Sequence, residues 1–172
     1  MSTRALPRSP ATWLVATALL VMALNLRPIL AATGPLLETI QAAVGLSDSQ
    51  AGLMTTLPIF VMGLCALSAE RLQRWLGAHW GITLGGTVIA LACVLRWVVP
   101  SASMLIATAV LSGLGIALVQ ALMPAFIKAR FGARAGSMMG LYSTGIMGGA
   151  AFAAALTPSL ALHIGWAPAQ AL

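Results

Sequence analysis

Five runs of about twenty apolar residues, separated by short connections, constrain this chain more than any other feature. They cover about residues 13–33, 51–69, 80–99, 103–127 and 137–160, and a further run starts at 166. A helix rising 1.5 Å per residue needs about 20 such residues to cross a hydrocarbon core of about 30 Å. Of the 172 residues, 60% are hydrophobic and only 7% are charged. A soluble domain carries about 25% charged residues, and no water-facing surface can be built from so few. The expected fold is an all-α membrane protein. Residues 1–12 would form an N-terminal tail and residues 13–172 a transmembrane bundle.

The connections alternate in charge. With the N-terminus in the cytoplasm, Arg4, Arg8, Arg71, Arg74, Lys128, Arg130 and Arg134 all fall inside. Arg96 alone falls near the outer face. That bias follows the positive-inside rule and predicts a multi-pass protein of a bacterial inner membrane. A cleaved signal peptide fits the first run poorly. The run is long, and Arg27-Pro28 precedes any small-residue cleavage site. The net charge of +6 does not point to nucleic acid, because the basic residues form short clusters between apolar runs without interleaved aromatics. Cys65 and Cys93 lie within apolar runs and read as small packing residues.

Local signals add detail. Ser47 and Gln50 have the spacing of a capping box. Gly81 and Gly85, Gly136 and Gly140, and Gly145 and Gly149 are four apart, which suits close helix contact in lipid. Pro28, Pro58 and Pro124 are expected helix breaks, since each proline removes a backbone donor and frees a carbonyl.

No catalytic constellation is present. Glu38, Asp48 and Glu70 are the only carboxylates, and His79 and His163 stand singly near the ends of runs. Nothing has metal-ligand spacing, and no glycine-rich loop leads to Lys-Ser/Thr, so neither a metal nor another cofactor is expected. No acidic residue lies inside a run to serve a proton relay. The exception to apolarity is Arg27, within the first run beside Asn25 and Pro28. A guanidinium in lipid costs from about 3 to over 10 kcal/mol, so it normally faces protein or water and has a partner. Arg27 lies about six to eight residues from the outer end of its run, roughly 9–12 Å, so snorkelling is a second reading. On helices, Gln120 shares a small-residue face with Gly113 and Ala117, and Tyr142 shares one with Gly145 and Gly149. A positive charge among amides and hydroxyls, with no acid nearby, suits a small anion. The expected binding residues are Arg27, Asn25, Gln120 and Tyr142.

Several motifs together resemble a known family. They are Leu24-Asn25-Leu26-Arg27-Pro28, Gly34-Pro35-Leu36-Leu37, Gly52-Leu53-Met54-Thr55-Thr56-Leu57-Pro58 and Gly113-Leu114-Gly115-Ile116-Ala117. Further along stand Gln120-Ala121-Leu122-Met123-Pro124, Met139-Gly140-Leu141-Tyr142-Ser143 and Thr157-Pro158. Over about residues 20–166 the chain resembles the N-terminal half of a major facilitator superfamily transporter, in the branch of cyanate permeases and 2-nitroimidazole exporters. The resemblance implies that Glu70, Arg71 and Arg74 belong to an inner gating loop, although Gln73 replaces the family's glycine. In the fifth run Gly145-Ile146 lacks the proline that antiporters often carry. Family members have twelve helices in two halves, so a C-terminal half or a second chain is an implied partner, beside the lipid bilayer and a small anionic solute. The implied activity is secondary transport of a small anion such as cyanate by alternating access. Export of neutral or cationic compounds such as nitroimidazoles, and a non-transporting membrane fragment, are the alternatives.

Overall fold

A computed structural model describes residues 10–98 and 101–170. Arg4 and Arg8 of the expected tail, and Pro100 of the expected turn after the third run, lie outside the described residues. The described residues are helical almost throughout. In chain order the helices are α1 (Pro10–Leu24), α2 (Pro28–Ala31), α3 (Leu37–Val44), α4 (Asp48–Leu67) and α5 (Ala69–Leu76). These are followed by α6 (Ala78–Val98), α7 (Ala102–Phe131), α8 (Ala135–Ile164) and α9 (Trp166–Ala169).

Four stretches are long and apolar enough to cross a membrane: Thr12–Ala31, Asp48–Leu67, Ala78–Val98 and Ala102–Ile164. The last, 63 residues long, comprises α7 and α8 joined by one 3₁₀ turn, Gly132–Arg134. Residues 128–134 therefore form far less of a loop than their charge suggests. Lys128 and Arg130 finish α7, where cations favour the negative end of the helix dipole. Phe60, Leu67, Trp97 and Leu162 remain exposed on the bundle, the side chains that a bilayer would cover.

The helices pack where side chains are small. α7 is the centre of the bundle, flanked by α4 and α6, while α1 and α2 pack on α8. A Cβ on Gly85 of α6 would lie 2.7 Å from the Gly115 carbonyl of α7, and a Cβ on Gly115 would lie 2.7 Å from the Gly85 carbonyl. That mutual approach gives backbone contact without any hydrophobic drive between helices in lipid. Gly145 and Gly149 do the same for α8 against α1, but Gly136 and Gly140 meet nothing within 4 Å. At the start of α4, Ser47 Oγ accepts from Gln50 N at 3.3 Å and Ser47 N donates to Gln50 Oε1 at 3.0 Å, a complete capping box.

The prolines divide into two kinds. The first run is interrupted: α1 stops at Leu24 and a new turn starts at Pro28. Pro58 and Pro124, expected as breaks, lie inside the continuous helices α4 and α7. Neighbouring helices keep such a helix intact by covering the disturbed backbone. Gly113 lets α7 pack directly on α4 at Pro58, where an added Cβ would lie 2.7 Å from the Pro58 Cα.

Candidate functional site

The interruption between α1 and α2 builds the site. Asn25 ends α1 by using both its donors on one carbonyl, N to Val21 O at 3.2 Å and Nδ2 to Val21 O at 2.8 Å. Leu26 N then donates to Ala23 O at 3.3 Å, a tighter step that stops the α-helical ladder. Arg27 caps the next turn, its carbonyl accepting from Leu30 N and Ala31 N, both at 3.0 Å. Pro28 follows at the first helical position, where a missing N–H is harmless.

The Arg27 side chain lines a cavity of about 420 Å³ with Leu30, Thr33, Met54, Thr55 and Ile59. Its Nε is buried and has no hydrogen-bond partner. The hydroxyls nearby are spoken for: Thr33 donates to Ile29 O at 3.1 Å and Thr55 to Gly52 O at 3.0 Å. None of Glu38, Asp48 and Glu70 lines the cavity. Across Ile59 and Met62, which line both, lies a second cavity of about 420 Å³ bearing Gln120 with Ala117 and Ala121. Tyr142 is 3% exposed, and its hydroxyl is also buried without a partner, within reach of the Arg27 charge.

The expected binding residues thus separate. Arg27 and Tyr142 are electrostatic neighbours, and Gln120 lines the adjoining cavity. Asn25 does not line the Arg27 cavity. It borders two others, one of about 230 Å³ with Cys93 and one of about 580 Å³ with Phe152 and Leu156. Glu70, Arg71 and Arg74 lie on the short helix α5, packed on α6 and α7, with their side chains exposed. Among the described residues no three His, Cys, Asp or Glu side chains gather as for a metal.

Arg96, expected near the outer face, stands in the last turn of α6 and is 0% exposed, buried against α2 and α7. Its Nε donates to Thr108 Oγ1 at 3.0 Å, and its Nη1 donates to Ile29 O at 3.0 Å and to Thr33 Oγ1 at 3.3 Å. Thr33 N turns instead to Leu30 O, at 3.3 Å, so the Ile29 carbonyl accepts from Arg96 and from Thr33 Oγ1, the latter at 3.1 Å. Charge counting says nothing of whether a terminal arginine is buried between helices; the signal for burial here is the α2 interruption, which leaves the Ile29 carbonyl to accept within the bundle.

Long apolar helices packed through glycine around a cationic cavity define a multi-pass helical membrane protein. The chain belongs to the Major Facilitator Superfamily, whose family profile matches residues 7–170, and its helix order fits the N-terminal half of that fold. It is 39% identical over 145 residues to the cyanate transport protein of Escherichia coli, covering 84% of this chain and 38% of that protein. It is 32% identical over 149 residues to the 2-nitroimidazole transporter of Escherichia coli, covering 86% and 38%. An uncharacterized transporter of Bacillus subtilis is 31% identical over 156 residues, covering 90% and 38%. The chain therefore spans about 38% of the length of the curated relatives it matches. No solved structure matches it.

Proposed function

We propose that this chain forms one half of a secondary transporter for a small anion, with Arg27 as the binding cation. The carrying observation is that the buried Arg27 Nε has no protein partner, in a cavity that no carboxylate lines. A half-buried guanidinium with a partnerless Nε and no protein counter-charge has unmet donors, and a monovalent anion in the cavity supplies the acceptor. The Tyr142 hydroxyl, buried without a partner near the Arg27 charge though lining neither cavity, is a second donor in reserve, and Gln120 extends the polar path across Ile59 and Met62. Cyanate is a substrate of suitable size and charge, in keeping with the name of the Escherichia coli relative. A second half closes over this one by rocking about the midplane site, as alternating access requires. The chain lies in a bacterial inner membrane with its N-terminus in the cytoplasm, and Glu70, Arg71 and Arg74 act at the inner gate.

One observation favours export of neutral or cationic organic compounds as a second reading. The cavity of about 580 Å³ bordered by Leu24, Phe152, Leu156 and Leu160 is mainly apolar and large enough for a small heterocycle.

The test joins this chain to the portion of the Escherichia coli cyanate transport protein that it does not cover. Uptake of radiolabelled cyanate by cells making the fusion is expected. Arg27→Ala should abolish it and Arg27→Lys should leave a fraction. Undiminished uptake by the alanine variant overturns the site, and nitroimidazole efflux without cyanate uptake overturns the substrate class.

A further inference from the structure

Helix α2 is a single turn of four residues, and so short a helix cannot hold itself. Yet it carries Arg27 at its start. The turn has two weak points in its backbone. The Leu24 carbonyl has lost its helical donor to Pro28, and the Ile29 carbonyl has lost Thr33 N to Leu30 O. The first is covered by Gly149 of α8, a contact without a strong donor. The second receives the local Thr33 Oγ1 at 3.1 Å and Arg96 Nη1 at 3.0 Å, and only the Arg96 bond is charge-assisted and ties the turn to the neighbouring helix α6. Arg96 is itself held, because its Nε is fixed on Thr108 Oγ1, which donates onward to Met104 O at 2.8 Å in α7.

Among the described residues the buried Arg96 cation bonds hydroxyls and a carbonyl and no carboxylate, a poor way to gain stability, since desolvation outweighs such bonds. Its value lies in where it holds the chain. From this geometry we propose that Arg96 is the positioning residue for Arg27: it clamps the Ile29 carbonyl to α6 and α7 and so fixes the turn that aims the Arg27 guanidinium into its cavity. The proposal rests on the reading of Arg27 as the anion-binding cation. Arg96 need not touch the solute. It sets the orientation of the group that does.

The test uses the purified chain in lipid nanodiscs, with two readouts on each variant. The first is hydrogen exchange of residues 28–34, where the amides of Leu30, Ala31, Ala32 and Thr33 make the bonds of the turn. The second is the affinity for sodium cyanate. Arg96→Met should speed exchange in this segment about tenfold while leaving the α7 interior unchanged, as expected of a local opening. It should weaken cyanate binding by about tenfold, the scale on which a supporting residue acts on a ligand site. Should Arg96→Met fail to fold, Thr108→Val removes the Nε acceptor together with the hydroxyl's own bonds to Met104 O and Leu105 O inside α7, and it should move both readouts in the same direction by a smaller factor. Unchanged exchange in the folded variants overturns the clamp. Faster exchange with unchanged affinity overturns its role toward Arg27. If the unaltered chain binds no cyanate, the anion reading fails, while the exchange result still decides whether Arg96 holds the turn.

Discussion

Gly149 of α8 lies so close to the Leu24 carbonyl, where α1 ends, that a Cβ at this position would overlap the oxygen and its carbon. Gly148, one residue earlier, has only the Leu24 Cδ2 within reach, at 3.9 Å. The contact explains how an interrupted helix packs tightly. Pro28 frees the Leu24 carbonyl, and a glycine lets α8 cover it.

The two glycines therefore predict opposite outcomes. Alanine favours a helix over glycine by about 1 kcal/mol. At 148 nothing opposes that gain, so Gly148→Ala should leave thermal stability in detergent equal or raised. At 149 the backbone itself must move, and overpacking costs about 1–3 kcal/mol. Gly149→Ala should lower the melting temperature, and Gly149→Val should lower it further. A fluorescence melting curve on the three variants decides the matter.

Gly113 makes the parallel case for the proline inside α4. An alanine Cβ there would lie 2.7 Å from the Pro58 Cα and 3.0 Å from its carbonyl oxygen. Gly113→Ala should cost about 1–3 kcal/mol by separating α4 from α7. Gly136→Ala, in open space, is the control that should not. Proteolysis rates of the two variants in nanodiscs would rank them.

The Ser47–Gln50 capping box makes a modest, local prediction. Ser47→Ala removes the acceptor for Gln50 N, and losses of this kind cost about 1 kcal/mol. Hydrogen exchange should rise in the first turn of α4 and nowhere else.

Tyr142→Phe separates binding from stability. The phenol oxygen is buried without a partner, so removing it takes away no protein hydrogen bond. The variant should be as stable as the original or slightly more so. If the hydroxyl donates to the anion, cyanate affinity should fall about two- to tenfold, the range of one net hydrogen bond. Titration calorimetry beside a melting curve gives both numbers.

Much of this fold was legible in the residues because lipid leaves few choices. Apolar runs of membrane-spanning length become helices, and the motifs around Arg27, Gln120 and Tyr142 point to the superfamily. Periodicity alone did not resolve α2, because Leu26, Ile29 and Leu30 look equally helical on either side of the interruption. The connector at 128–134 looked like a loop because it is basic, yet cations also suit a helix C-terminus. The burial of Arg96 was not legible, because proximity to the end of a run says nothing of what the neighbouring helix leaves unpaired. Asn25 was expected beside Arg27; its amide closes its own helix on Val21 O, and the residue borders two cavities other than the one Arg27 lines.

The central claim is that Arg27 awaits an anion. Its most direct test is calorimetric titration of sodium cyanate into the purified chain in nanodiscs, comparing the unaltered chain with Arg27→Ala and Arg27→Lys. The account predicts saturable binding at one site, lost with alanine and weakened with lysine, whose single ammonium cannot replace a bidentate guanidinium. Equal affinity in the unaltered chain and Arg27→Ala would contradict it.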